Sequence, residues 1–199
     1  MTSWRETPRL VGRHTTLRPF RDDDVEALVT AAADGDLTAL FFTPVSALRD
    51  PQSYIETLRR AREAGRELQL VVELPDGRIV GLTRLLRMNE AQRRVEIGGT
   101  WYARSVQRTG LNTEAKLMLL THAFDVLGCN VVELRTDWFN RPSRAAIERL
   151  GAKQDGVLRA HAVLDGRVRD IVCYSITAAE WPGVRMNLLH MLSRYGDAV

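Results

Sequence analysis

The chain is poor in the residues that build stapled or metal-bound proteins. Its two cysteines, Cys129 and Cys173, have no CxxC spacing and no histidine beside them. That excludes a disulfide scaffold and marks both as buried free thiols. The four histidines, His14, His122, His161 and His190, show neither HxH nor HxxxH spacing, so no metal is expected. Lysine is nearly missing: Lys116 and Lys153 are the only two, and arginine carries the remaining positive charge. No apolar run approaches the ~20 residues that cross a bilayer. The opening MTSWRETPRLVGRH also lacks the apolar centre of a signal peptide, so a soluble, cytoplasmic protein without a membrane partner is expected. The pI is 9.2, but the net charge is only +3 and the arginines are interleaved with acids, as in RRAREAGRE, so no nucleic-acid face is expected.

What is present is one domain's worth of periodic sequence. A chain of 199 residues with 45% hydrophobic content can bury one core, and no repeat or linker divides it, so a single domain over residues 1–199 is expected. His14–Pro19 predicts a first strand. Asp22–Ala33 predicts a helix behind an acidic first turn, and Asp50-Pro51 caps a second helix running to Ala64. Leu68–Leu74 and Ile79–Leu86 are apolar runs joined by Pro75-Asp76-Gly77, which is hairpin chemistry. Arg94–Tyr102 predicts a third strand. Strict alternation places Val95, Ile97, Gly99 and Trp101 on one face and Glu96, Gly98, Thr100 and Tyr102 on the other, a polar, open face.

The next helix carries Leu117, Leu120, Phe124 and Leu127 as its stripe and stops at Gly128. Then follow a strand over Asn130–Asp137, a helix over Asn140–Leu150, strands over Ala152–Arg159 and Val168–Ile176 joined through Asp165-Gly166, and a last helix over Trp181–Arg194. The order predicts a mixed α/β sheet.

Between the third strand and its helix lies Gln107-Arg108-Thr109-Gly110-Leu111-Asn112-Thr113. A helix start leaves about four amides without partners and concentrates positive partial charge, so a donor-rich loop of low bulk there suits an anion. Arg108 adds a guanidinium suited to phosphate. A single glycine equally serves the turn alone, with Asn112 or Thr113 as a cap.

EIGGTWY before this loop, LNTEAKLMLLTHAF after it, and then RTDWFNRPSRAAIERLGA resemble the GNAT superfamily of N-acetyltransferases, in its RimJ/RimL-type branch. The loop is similar to that superfamily's Gln/Arg-x-x-Gly-x-Gly/Ala pattern, with Asn112 in place of the last small residue. The resemblance implies an α/β (α+β) fold with a mostly antiparallel sheet flanked by helices and a splayed strand pair for acyl-CoA. It implies acetyl-CoA as cosubstrate, with no metal. Pantetheine would pair along Trp101, Tyr102 and Ala103, the diphosphate would sit on Gln107, Arg108, Thr109, Gly110, Leu111, Asn112 and Thr113, and Asn140 with Ser143 would match the family's Asn-x-x-Ser.

The implied reaction is direct attack of a primary amine, on a protein N-terminus or a small molecule, within a ternary complex. Glu96 matches the glutamate of the family's EIG stretch and is the candidate base; a salt-bridged strand carboxylate is the competing role. Ser143 is the candidate donor to the departing thiolate and Asn140 a pantetheine contact, although both positions also suit simple helix capping. The tyrosine that other GNAT enzymes place four residues beyond the serine is Ile147 here. Phe41, Phe42, His161 and Asp22 to Asp24 are candidate liners of the acceptor side, each more often structural. A homodimer is compatible with the resemblance. The competing functional class is a non-catalytic acyl-CoA-binding or sensor domain.

Overall fold

The computed structural model of the chain describes residues 4–65 and 67–196, the side chain of Ser46 excepted. Eight strands form one sheet in the order β1-β2-β3-β4-β5-β6-β8-β7. They are β1 (Leu10–Val11), β2 (Thr16–Pro19), β3 (Glu67–Glu73), β4 (Ile79–Asn89), β5 (Arg94–Tyr102), β6 (Val131–Asp137), β7 (Lys153–Leu164) and β8 (Arg167–Thr177). Neighbours are antiparallel except β5 and β6, which run parallel. Helices α1 (Val25–Ala33) and α2 (Pro51–Glu63) pack on one face; α3 (Leu111–Thr121), α4 (Arg141–Leu150) and α5 (Trp181–Leu192) pack on the other. This is the predicted mixed, mostly antiparallel α/β sheet flanked by helices.

Central strands are apolar on both sides because both sides are covered. In β3, Leu68, Leu70 and Val72 enter the core beneath α3 and α5, while Val71 joins Leu28, Leu58 and Leu82 beneath α1 and α2. Asp50 caps α2 as predicted, its Oδ1 accepting the Ser53 amide at 3.1 Å. Three boundaries differ from the sequence reading. The short β1 was too brief to register as a periodic element. The β7 strand runs past Arg159 to Leu164, and α3 ends in a π-helical turn, His122–Val126. Of the predicted stripe, Leu120, Phe124 and Leu127 are buried in the core together with Leu111, Ala115, Leu119 and Ala123, while Leu117 only borders it. Cys129 is buried, which pushes its thiol up to about 11, whereas Cys173 is only half-buried; both are free.

The strand β5 corrects the predicted face assignment. Leu82 pairs with Trp101 and Arg84 with Gly98, so two residues of β4 span three of β5, and Gly99 sits at φ 57 inside the resulting bulge. A side chain there would collide with the Arg84 guanidinium. The extra residue inverts everything after it. Thr100 and Tyr102 join Val95 and Ile97 on the α3 face, and Trp101 moves to the α1/α2 face with Glu96 and Gly98.

Candidate active site

Strands β5 and β6 pair over only three positions, Arg94 to Glu96 against Val131 to Glu133, and then part. Beyond Glu96 the inner edge of β5 has no partner strand. Ala103 donates its amide to Val80 of the other neighbour at 2.8 Å, so by alternation Tyr102 turns its backbone toward the gap. The Tyr102 carbonyl there accepts Gln107 Nε2 at 2.9 Å. Of the three residues expected to pair with pantetheine, Tyr102 faces the opening, while Trp101 and Ala103 face β4.

At the mouth of this gap the loop before α3 is stretched and donor-rich. Thr109 Oγ donates to the Val106 carbonyl at 2.7 Å and accepts the Leu111 amide at 3.3 Å. Arg108 is exposed and left-handed at φ 61, a conformation that turns successive amides to one side. The amides of Arg108, Thr109, Gly110, Asn112 and Thr113 have no hydrogen-bond acceptor among the described residues. These orphan donors at a helix start fit a diphosphate. Gly110 itself has an ordinary φ of −66; its missing side chain makes room for His14 Nε2, 3.1 Å from where a Cβ would stand, and for the Tyr195 ring at 3.3 Å. The glycine thus lets the chain's own termini pack under the loop, a role that the motif alone did not disclose.

The same helix is anchored from below. Glu114 Oε2 accepts the amides of His14 at 2.7 Å and Thr15 at 2.9 Å, and Oε1 accepts that of Arg13 at 2.7 Å. Sequence reasoning missed this anchor; a buried acid in the first turn of an otherwise apolar helix face was its signal.

Glu96 stands where the strands part, opposite Glu133 in register. It is not on an open face, as expected, but 4% exposed. Arg87 hydrogen-bonds one carboxylate oxygen, and Arg135 Nε lies 3.3 Å from the same atom. Two carboxylates brought side by side by a parallel register require this neutralisation, and Arg135 also reaches Glu133 at 3.0 Å. The salt-bridged role is therefore what the geometry contains.

Asn140 caps α4 by accepting the Ser143 amide at 3.1 Å. The Ser143 hydroxyl is half-buried with no partner among the described residues. At the end of β6, Asp137 has a fully buried side chain held by Arg167 (2.5 Å) and Arg169 (2.7 Å) of β8. Burial pushes its carboxyl upward, but Arg167, the Phe139 amide and Arg169 outweigh it and hold it below the usual carboxylate range. The two arginines also donate to the carbonyls of Phe41 and Phe42, and the Arg167 guanidinium lies 5.0 Å from the Phe41 ring centre. Phe41 and Phe139 approach within 6.3 Å, so the loop between α1 and α2 is fastened across the α1/α2 side of the gap. The other expected liners lie elsewhere. His161 is exposed on β7, Asp24 is bound to Arg18 at 2.8 Å, and Asp22 pairs with Arg59 at 2.7 Å.

On the opposite face, under the bulge, Lys116 Nζ donates to Thr100 Oγ at 2.8 Å, and Thr100 Oγ lies 2.7 Å from Thr83 Oγ. Lys116 is 6% exposed, and burial pulls its amine down to about 7. Nearby, burial raises the Tyr102 phenol, whose hydroxyl is buried without a partner.

A parallel pair that opens into a gap, with a bare-amide loop at its mouth, is the arrangement that the resemblance to acyl-CoA-dependent transferases implied. Residues 14–153 match the family model described as an acetyltransferase (GNAT) domain. The chain is 32% identical over 180 residues, 87% of its length and 96% of the relative's, to YdaF of Bacillus subtilis (strain 168), provisionally described as a ribosomal N-acetyltransferase. Among solved structures it is similar to a GCN5-related N-acetyltransferase from Brucella melitensis (29% identity, TM-score 0.82, covering 94% of this chain and 86% of that one). It is also similar to Mycobacterium smegmatis RimJ in complex with CoA-disulfide (28% identity, TM-score 0.76, 96% of each chain). The chain belongs to the GNAT acetyltransferase family, on its RimJ/RimL-type side. No helix among the described residues is long and apolar enough to cross a membrane.

Proposed function

We propose that the chain moves the acetyl group of acetyl-CoA to a primary α-amine, by direct attack in a ternary complex. The observation that carries this reading is the run of unpartnered amides from Arg108 to Thr113 opening onto the free edge of β5. The diphosphate sits on those amides and on Arg108, and the pantetheine arm runs along the Tyr102 backbone past Asn140 and Ser143. The acetyl carbonyl then lies toward the vertex at Glu96, with the acceptor arriving under the Phe41–Phe42 loop.

The state of Glu96 bears on the acceptor. Its carboxylate is already engaged by Arg87 and Arg135. Such a site suits an amine that is already partly neutral: an α-amino group, at ~8, needs far less deprotonation than a lysine or polyamine amine at ~10.4. Glu96 fixes the vertex and takes the amine's proton only as it is lost.

The test is a thiol-release assay with acetyl-CoA against peptides carrying free N-termini, free amino acids and spermidine. Peptide or amino-acid turnover exceeding that of spermidine by tenfold or more is expected. Preference for spermidine would reject the α-amine reading. E96Q and S143A should lower turnover and leave coenzyme A affinity by calorimetry unchanged.

A further inference from the structure

Lys116 is an anomaly that acyl-CoA binding alone does not explain. A buried ammonium needs compensation, and this one has a single neutral acceptor, Thr100 Oγ. The groups facing it from the neighbouring strands are hydroxyls, Thr100 on β5 and Thr83 on β4. Glu114, on its own helix, is committed to the amides of residues 13 to 15, and Arg149 of α4 reaches only as far as Thr113. Among the described residues no carboxylate pairs with it; burial is the cause of its displaced amine.

The position matters as much as the environment. Thr100 follows the bulge that turns it to the α3 face, on the stretch of β5 that no longer pairs with β6. On the reading proposed above, the diphosphate lies beyond Ala103, so the arm runs back down the strand and its sulfur comes to the level of Thr100. The Thr100 side chain is on the face opposite the one from which the acceptor is proposed to arrive. The family's tyrosine position is Ile147, which is buried in the core, and the Tyr102 phenol is a poorer acid than usual. The Ser143 hydroxyl has no hydrogen-bond partner among the described residues.

We infer that Thr100 protonates the departing thiolate and that Lys116 resupplies Thr100, the two forming a relay from Nζ through Oγ to sulfur. The bond from the acceptor nitrogen to the acetyl carbon forms, the carbon–sulfur bond breaks, and its electron pair stays on sulfur. Sulfur takes the Thr100 proton while Thr100 Oγ takes one from the Lys116 ammonium. The attacking amine loses its own proton to Glu96 and through it to solvent, and Lys116 regains one when product leaves. The direction agrees with the observed donation from Nζ to Oγ. An amine near 7 is also a stronger acid than a thiol near ~8.5, so the transfer runs downhill, which a lysine near ~10.4 would not allow. Thr100 touches the reacting sulfur; Lys116 acts through it as a positioning residue.

The experiment compares wild type, K116M, K116R and T100V with acetyl-CoA and a peptide bearing a free N-terminus. Wild-type kcat should fall on an alkaline limb centred near 7. K116M and T100V should lose that limb and roughly a hundredfold in kcat, with coenzyme A affinity unchanged. K116R keeps the charge but cannot release its proton, and should fail like K116M. Apart from turnover, the Lys116 ε-methylene followed by NMR in the free chain should titrate near 7. An unmoved alkaline limb in K116M and T100V, full activity in K116R, or a titration near 10 would overturn the relay while leaving the acetyltransferase reading intact. Loss of coenzyme A binding by wild type itself would remove both.

Discussion

Glu114 accepts the backbone amide of Thr15 at 2.9 Å across 99 residues of chain, and with Arg13 and His14 it satisfies three donors of the β1–β2 turn at once. Hydrogen bonds to a charged acceptor are worth ~1.5–3 kcal/mol each, and neighbouring ones overlap. E114A should therefore cost about 3–4 kcal/mol in denaturant unfolding, and E114Q, which keeps the shape and part of the acceptance, about half. A loss under 1 kcal/mol for E114A would show that the turn holds without its anchor.

Arg108 is exposed and its side chain makes no hydrogen bond or ion pair among the described residues. Reversing its charge probes the diphosphate seat without touching the core. R108E should weaken coenzyme A binding at least tenfold by calorimetry and leave the melting temperature within a degree or two. Gly110 is a poorer probe, because any side chain there first meets His14 and Tyr195. Unchanged affinity in R108E would move the phosphate off this loop.

The lysine leaves a mark on stability as well. Its folded amine is near 7 and its unfolded one near 10.5, so the unfolded chain holds more protons between those values. The penalty is full below about pH 7 and is relieved as pH rises toward 10.5, a span worth about 5 kcal/mol. K116M should flatten that rise and be more stable than wild type at pH 6. A steeper or unchanged pH dependence in K116M would refute a buried amine.

Asp137 runs the opposite way. Its folded carboxyl lies below the unfolded value, so its contribution is present above the ordinary aspartate range and fades as pH falls below about 3.8. D137N should leave Arg167 and Arg169 without their anion and loosen the Phe41–Phe42 loop. The expected readouts are faster amide exchange over residues 40–43 and a higher KM for the peptide acceptor, with coenzyme A binding little changed. Equal exchange rates would detach this cluster from the loop.

Much of this was legible in the chain. The helix caps at Asp50 and Asn140, the hairpin pair Asp165-Gly166 and the donor-rich loop all act locally, and each is found where its own residues placed it. Two things were not. Side-chain direction along β5 depends on an inserted residue whose presence shows only against β4, so strict alternation put Thr100, Trp101 and Tyr102 on the wrong faces. The condition of Glu96 depends on Arg87 and Arg135, brought in by separate strands, so a carboxylate that looked available is a neutralised one. Lys116 was visible as a rare lysine in an apolar helix, but that it pairs with no acid among the described residues required the packed interior.

The bulge at Gly99 splits one strand into two halves with opposite allegiances. Ahead of it, alternate side chains obey the hydrophobic demands of two ordinary cores; after it, the same positions are handed the other way, so an indole is delivered to the α1/α2 face and a hydroxyl to the α3 face. Removing a single backbone unit would exchange those two deliveries. Insertions and deletions at this point therefore offer a coarser lever on chemistry than any substitution beside it.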